Sequence, residues 1–397
     1  MENLTPENAG MEAAPAVQET AAPRAKQHKK KRRKGLVAKI LLRATMVFLS
    51  VILIVLCGAW MLLDTIFNGP SEAARDVLVM SLAKSSGTWW IPGVFLGEEL
   101  AQQIMQGDQS LAPPPNESNT DIIDVSGALN SNSDEWKDYP DGIRIETVYG
   151  NTYTAHVMII RDPSSVYLAT SYQHQGQNGF STATPGLRIP TVLEKEGAIA
   201  GINAGAFLDN GSASSVVGSV PYGLVVAGGE IVWNRDSHMV PFGGFVGFNQ
   251  DNVLVVAPSM TAERAKELNI RDGCEFGPVL IVDGVVNEEA YNNESGFNPR
   301  TAIGQRADGA VIMVCIDGRQ AGSVGGSFAD MTNIMVEFGA VNACNLDGGS
   351  SSIMLYRDTL GRYGEAGHVV TVNSYSLLQE EPRRMPTFFL VRGKSEG

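Results

Sequence analysis

The run from Ala44 to Leu63 (ATMVFLSVILIVLCGAWMLL) carries no charge and constrains this chain more than any other stretch. About 20 such residues span a hydrocarbon core as a helix, which satisfies every backbone group where no water can. Directly upstream lies the basic block Lys29-Lys30-Lys31-Arg32-Arg33-Lys34. On its own, such a block suits nuclear import or nucleic acid; ahead of an apolar span it reads as the positive-inside flank, with Trp60 as an interfacial aromatic. A cleaved signal peptide would start nearer the N-terminus, run shorter and close on small residues. The expectation is therefore a single-pass plasma-membrane protein with a cytoplasmic N-terminus. Residues 1–43 read as a disordered basic tail, 44–63 as the transmembrane helix, and 64–397 as lying outside.

Charge divides at the same place. Residues 1–43 hold ten Lys/Arg against four Glu, and the whole chain carries -13, so the remainder stands near -19. Such an acidic exterior does not suit nucleic acid, whose phosphates need a basic surface. Of the four cysteines, Cys57 lies in the apolar run. Cys274, Cys315 and Cys344 show neither CxxC spacing nor paired histidines for zinc. One disulfide is open to them, but Cys315 and Cys344 sit in strand-like apolar stretches, where free buried thiols are expected.

Residues 64–120 read as a juxtamembrane helical stalk and linker. Ser71 can cap a helix carrying Ala74, Val77, Leu78 and Leu82, which Trp89-Trp90-Ile91-Pro92 interrupts before a second helix over Glu98–Met105. The double Trp suits either the outer membrane face or packing on the folded domain. Pro113-Pro114-Pro115 marks the linker, and the domain is placed from about Asp121 to residue 397. Beyond that point the pattern turns to strands. Hairpins are expected around Ala227-Gly228-Gly229, Asn249–Asn252 and Asp283-Gly284. Arg161-Asp162-Pro163 marks either a hairpin or a strand with a bend. Helices are expected within 185–196, over 261–268 and, most clearly, over 327–338, where Ser327 and Asp330 have capping-box spacing. The strands flanking that last helix, Ala310–Ile316 and Val341–Leu346, have the spacing of a parallel pair. The fold class is α+β (mixed α/β), a strand-rich sheet core with a few packed helices, preceded by one transmembrane helix.

Four stretches share one form, an apolar strand running into polar and glycine residues. They are Ile202-Asn203-Ala204-Gly205-Ala206-Phe207, Asn298-Pro299-Arg300-Thr301, Ile316-Asp317-Gly318-Arg319 and Asn345-Leu346-Asp347-Gly348-Gly349-Ser350. Arg300 and Arg319 can each hold an oxyanion through two N–H groups. Asp317 and Asp347 suit acid–base or nucleophilic work at a sugar carbon, which takes two carboxylates. Phosphate clamps beside carboxylates point to a phosphorylated sugar rather than a neutral glycan. Taken singly, each residue has a plainer role in a turn or an ion pair; four together point to a shared pocket. The histidines at 156, 174, 238 and 368 show no ligand spacing and read as structural or surface groups. Of these, His238 in Asn234-Arg235-Asp236-Ser237-His238 is the one worth testing.

These motifs, with Gly277-Pro278-x-Leu280 and Asp283-Gly284, resemble in order the phosphodiester glycosidase family over about Asp121–Arg392. The resemblance implies hydrolysis between a sugar's anomeric carbon and a phosphodiester. It implies phosphate binding by Arg300, Arg319, Thr301, Gly348, Gly349 and Ser350, and substrate binding by Asn203, Gly205 and Asn345. Asp347 or Asp317 would activate water or stabilise an oxocarbenium-like state. No cofactor is certain, and a divalent cation bridging the two carboxylates is open. Two positions depart from the family pattern, Ala204 and Ser350, where glycine is usual. The implied substrate is a sugar-phosphate glycopolymer or glycoconjugate of cell-surface or exopolysaccharide metabolism. A glycopolymer-binding or assembly protein using the same pocket without turnover is the competing reading.

Overall fold

The computed structural model describes residues 24–69, 71–83, 88–107, 117–131, 134–208, 218–235, 240, 243–293, 295–374 and 381–393. The far N-terminal tail, the proline-rich part of the linker and His238 lie outside the described residues. Two compact units separate between Leu63 and Asp64. The described part of the first belongs to helix α1, Arg24–Phe67, which begins well before the apolar run. Within Lys39–Phe67 the mean hydropathy over an 18-residue window reaches 2.7, and the helix is long and apolar enough to cross a membrane.

The second unit opens with α2 (Glu72–Ala83), α3 (Ile91–Leu96) and α4 (Glu98–Gly107). Pro92 does not simply break the helical pattern. It falls in the first turn of α3, where its missing N–H is not needed.

Three antiparallel sheets follow. The largest contains β1 (Ile143–Tyr149), β2 (Thr154–Ile160), β10 (Val279–Val282), β11 (Val285–Val286), β12 (Arg300–Arg306), β13 (Val311–Ile316) and β14 (Ala340–Leu346). Its spatial order is β1-β2-β13-β12-β14-β10-β11. A second sheet orders β16 (Val369–Thr371), β15 (Met354–Arg357), β4 (Ala198–Asn203), β17 (Thr387–Arg392) and β3 (Val166–Thr170). The third orders β6 (Glu230–Arg235), β5 (Gly223–Ala227), β9 (Ile270–Glu275), β7 (Phe245–Asn249) and β8 (Leu254–Ala257). Five further helices, α5 (Gly127–Asn130), α6 (Ile189–Glu196), α7 (Ala262–Glu267), α8 (Glu288–Tyr291) and α9 (Phe328–Glu337), pack around them.

The three expected hairpins form as β5–β6, β7–β8 and β10–β11. At the last, Asp283 (φ 52°) and Gly284 (φ 79°) are both left-handed, the conformation a two-residue hairpin turn requires. Arg161-Asp162-Pro163 is a bend: Asp162 accepts from Ser164 N, and the chain passes from the first sheet into the second. The expected parallel pair is not made. β13 and β14 do run the same way, but β12 lies between them and bonds antiparallel to both.

One core joins all three sheets, with Ile303, Met313 and Cys344 facing Ile202 and Phe389 of the second and Val225 and Val246 of the third. The opposite face of the first sheet is covered by α9. Its Ser327–Asp330 capping box is complete, and Phe328, Met331, Ile334 and Met335 are fully buried. Each such side chain contributes about 1.5–3 kcal/mol relative to exposure. Cys274, Cys315 and Cys344 are free and buried, as expected.

Candidate active site

Strand register brings the four motifs to one edge. Arg300, the first residue of β12, lies opposite Ile316 at the end of β13, and Thr301 lies opposite Leu346 at the end of β14. Asp317 and Asp347 therefore leave adjacent strand ends on either side of Arg300. Asn203 ends β4 in the second sheet and donates to the Asp347 carbonyl at 2.5 Å, linking the two sheets.

A small cleft opens at this edge, lined by Pro299, Asp317, Arg319, Gly349, Ser350 and Ser352 among others. Asp317 is 4% exposed. Its Oδ1 accepts from Ser374 N at 2.9 Å, its Oδ2 lies 3.3 Å from His156 Nε2, and its carbonyl accepts from Ser323 Oγ at 2.7 Å. Arg319 holds φ at 58°, a left-handed conformation that is uncommon for a residue with a side chain and costs roughly 1–3 kcal/mol. Such strain gathers at functional loops. Its guanidinium lies over Gly349, where an added Cβ would be 3.2 Å from Nη2.

A second guanidinium comes from the segment before β17. Arg383 Nη1 donates to Ser350 Oγ at 3.2 Å and Ser351 Oγ at 3.4 Å. Burial holds the Arg319 guanidinium below its ordinary value, and the positive charge of Arg383 pushes the same way. Two cations thus share the Gly349–Ser350 loop. Ser352 lines the same cleft at 3% exposure, and its Oγ has no hydrogen-bond partner among the described residues.

Several expected site residues make their hydrogen bonds within the scaffold. Arg300 donates to the carbonyls of Gly326 and Gly296 and to Ser295 Oγ, and stacks 3.8 Å from the Phe328 ring centre. These contacts tie it to the loop before β12 and to the N-terminal end of α9. Thr301 is fully buried and donates to Asn203 Oδ1 at 2.9 Å. Asn203, also fully buried, accepts in addition from Ile353 N at 3.2 Å. Asn345 donates to the carbonyls of Gly277 and Leu346. Gly205 packs against Cys274, whose Cβ would stand 3.0 Å from an added methyl.

The glycine nest is partly filled from within. Gly348 N donates to Asp347 Oδ1 at 2.9 Å, and Gly349 N to the Pro299 carbonyl at 2.8 Å. Gly348 must be glycine for room, since a Cβ would sit 2.8 Å from the Pro299 oxygen. Gly349 must be glycine for φ, at 62°. Ala204 avoids the left-handed region, so its departure from the family pattern introduces no strain. Ser350 turns its departure to use as the contact for Arg383. His156, Ser323, Ser352, Ser374 and Arg383 were not legible as site residues. Among the described residues no group of three or more His, Cys, Asp or Glu gathers at one point, so a divalent cation has no such donor set there.

Residues 196–392 match the model of the phosphodiester glycosidase family. These residues form a phosphodiester glycosidase-family domain. A curated relative, the SPbeta prophage-derived uncharacterized protein YomE of Bacillus subtilis (strain 168), is 25% identical over 201 residues, or 48% of this chain and 27% of that protein. The chain thus spans about a quarter of the length of the relative it matches. Among solved structures, the chain is similar in fold to the catalytic domain of zebrafish N-acetylglucosamine-1-phosphodiester alpha-N-acetylglucosaminidase, auto-inhibited by pro-peptide. That likeness has a TM-score of 0.50 at 17% identity and covers 72% of this chain and 97% of that one. Strands upstream of the matched residues, β2 and β3, pair into the same sheets, and β2 delivers His156 to Asp317.

Proposed function

We propose that this protein is a membrane-anchored hydrolase that cleaves the anomeric C–O bond of a sugar phosphodiester in a cell-surface glycopolymer. The anchor is α1, with the N-terminus cytoplasmic and the glycosidase domain outside the plasma membrane. The observation that carries this reading is the pairing of Arg319 and Arg383 on one loop beside the Asp317–His156 pair. Two guanidinium groups suit a phosphodiester anion, with the Ser350 and Ser352 hydroxyls completing its oxygen contacts. Asp317, held by Ser374 N–H and His156, faces the cleft where the sugar's anomeric carbon would lie. It activates water or stabilises the positive charge that develops on the ring as the bond breaks. The leaving group is a phosphate monoester with a second pKa near 6, so it departs with little help from a general acid. Asp347 orders the Gly348–Gly349 turn through Gly348 N–H and stands at the adjacent strand end as the second carboxylate.

The test is to incubate the purified full chain with a sugar 1-phosphodiester, with and without chelator. Release of free reducing sugar and phosphomonoester in equal amounts supports the reading; tight binding without release makes the protein a glycopolymer binder instead. Asp317→Asn should abolish release without unfolding the domain. A wild-type rate in that variant removes Asp317 from the chemistry.

A further inference from the structure

Outside the cleft, large apolar side chains stand in the open at the start of α3. Trp89 is 63% exposed, Trp90 53% and Val94 51%, and Trp90 and Val94 are one helical turn apart. Exposed tryptophans this close together are uncommon on a soluble surface, and Trp is the side chain that prefers the headgroup level of a bilayer. The place of α3 along the chain identifies what covers it. Phe67, the last residue of α1, is 1% exposed and stacks on Phe95 of α3, with ring centroids 5.0 Å apart and planes 14° from parallel. The candidate span ends at that same Phe67. Helix α3 therefore packs on the last residue of the candidate span.

We propose that the α3 corner, with Trp89, Trp90 and Val94, lies in the lipid headgroup layer, so that the glycosidase domain rests on the bilayer. The inference rests on reading α1 as a membrane span. Contact is aromatic rather than electrostatic, because Glu98 and Glu99 follow directly and the chain beyond residue 43 is strongly acidic. Binding of this corner is accordingly insensitive to the charge of the lipid. It places the catalytic domain where anchored or membrane-proximal glycopolymer is presented, at a height set by α3.

The experiment uses the full chain in lipid nanodiscs, labelled with an environment-sensitive dye at one of two places. One preparation carries the dye on Cys57; the other carries it on a Val94→Cys, Cys57→Ser variant, the three remaining thiols being buried. Nanodiscs contain lipid bearing a nitroxide quencher at mid-bilayer or at headgroup depth. The Cys57 dye should be quenched at mid-bilayer. The residue-94 dye should lose most of its emission to the headgroup nitroxide, and most of that loss should disappear with Trp89→Ser and Trp90→Ser together. If the Cys57 dye is unquenched, α1 is not in the bilayer, and the anchor reading and this proposal fall together. If Cys57 is quenched and residue 94 is not, the proposal alone is overturned. Dye–dye self-quenching at residue 94 without nitroxide quenching assigns the surface to a second copy and also overturns it.

Discussion

Asn203 decides between two accounts of the β4 strand end, a substrate contact or a strut, and Asn203→Ala separates them. The side chain is fully buried and makes three hydrogen bonds: Nδ2 to the Asp347 carbonyl at 2.5 Å, and Oδ1 from Thr301 Oγ1 at 2.9 Å and Ile353 N at 3.2 Å. At about 1 kcal/mol net per bond, truncation costs about 3 kcal/mol, and stranded buried groups can raise that toward 5. Thr301→Val removes one of the three and should cost about 1 kcal/mol. Equilibrium urea unfolding followed by near-ultraviolet circular dichroism reads the domain while detergent holds α1. Below the transition, Asn203→Ala should lower kcat, because the loop carrying Asp347 loses its tie, with KM little changed. A variant within about 0.5 kcal/mol of wild type, the range of an ordinary surface change, with only KM raised would refute the strut and make Asn203 a substrate contact.

Arg319→Ala and Arg383→Ala should each weaken binding of a phosphodiester by roughly 10–100-fold, the range of a lost charged hydrogen bond of about 1.5–3 kcal/mol. Arg300→Ala should instead lower stability; unchanged KM in the first two variants would place the anion elsewhere. Burial pushes the Asp358 carboxyl up, but backbone N–H donors including Tyr363, Arg362 and Gly364 prevail and hold it below its ordinary value. Its stabilising effect is thus complete above about pH 3.9 and fades as pH falls through the lower folded value. Asp358→Asn should therefore be less stable than wild type at neutral pH, with the gap closing in acid; a gap that widens in acid contradicts the assignment. Burial pushes the thiols of Cys274, Cys315 and Cys344 well above their ordinary value. Mass spectrometry after iodoacetamide should find all three unmodified in the native domain and modified in denaturant.

Local chemistry was legible where one segment suffices to determine it. The Asp283-Gly284 turn and the Ser327–Asp330 capping box each depend on residues a few positions apart and form as read, and the apolar run is helical within the longer α1. The polar ends of β4, β12, β13 and β14 were legible as chemistry, and register brings them to one edge. What the chain's order conceals is non-local. The spacing of β13, α9 and β14 suits a parallel pair, yet β12, buried along nearly its whole length, enters between them and bonds antiparallel to each. Arg300 looked like a phosphate ligand because Pro299-Arg300-Thr301 reads the same whether the guanidinium turns to the cleft or onto Phe328. His156 meets Asp317 only through the β2–β13 register, where it lies opposite Cys315. Arg383 meets Ser350 only because β17 inserts beside β4. No signal within either segment announces those meetings.

The account stands on which bond breaks. Running the hydrolysis of a sugar 1-phosphodiester in heavy-oxygen water and weighing the phosphomonoester by mass spectrometry tests that directly. Attack at the anomeric carbon, with Arg319 and Arg383 holding an intact phosphate beside Asp317, predicts a phosphomonoester without heavy oxygen. Heavy oxygen in the phosphate would mean attack at phosphorus, and would contradict the role given to Asp317 at the anomeric carbon.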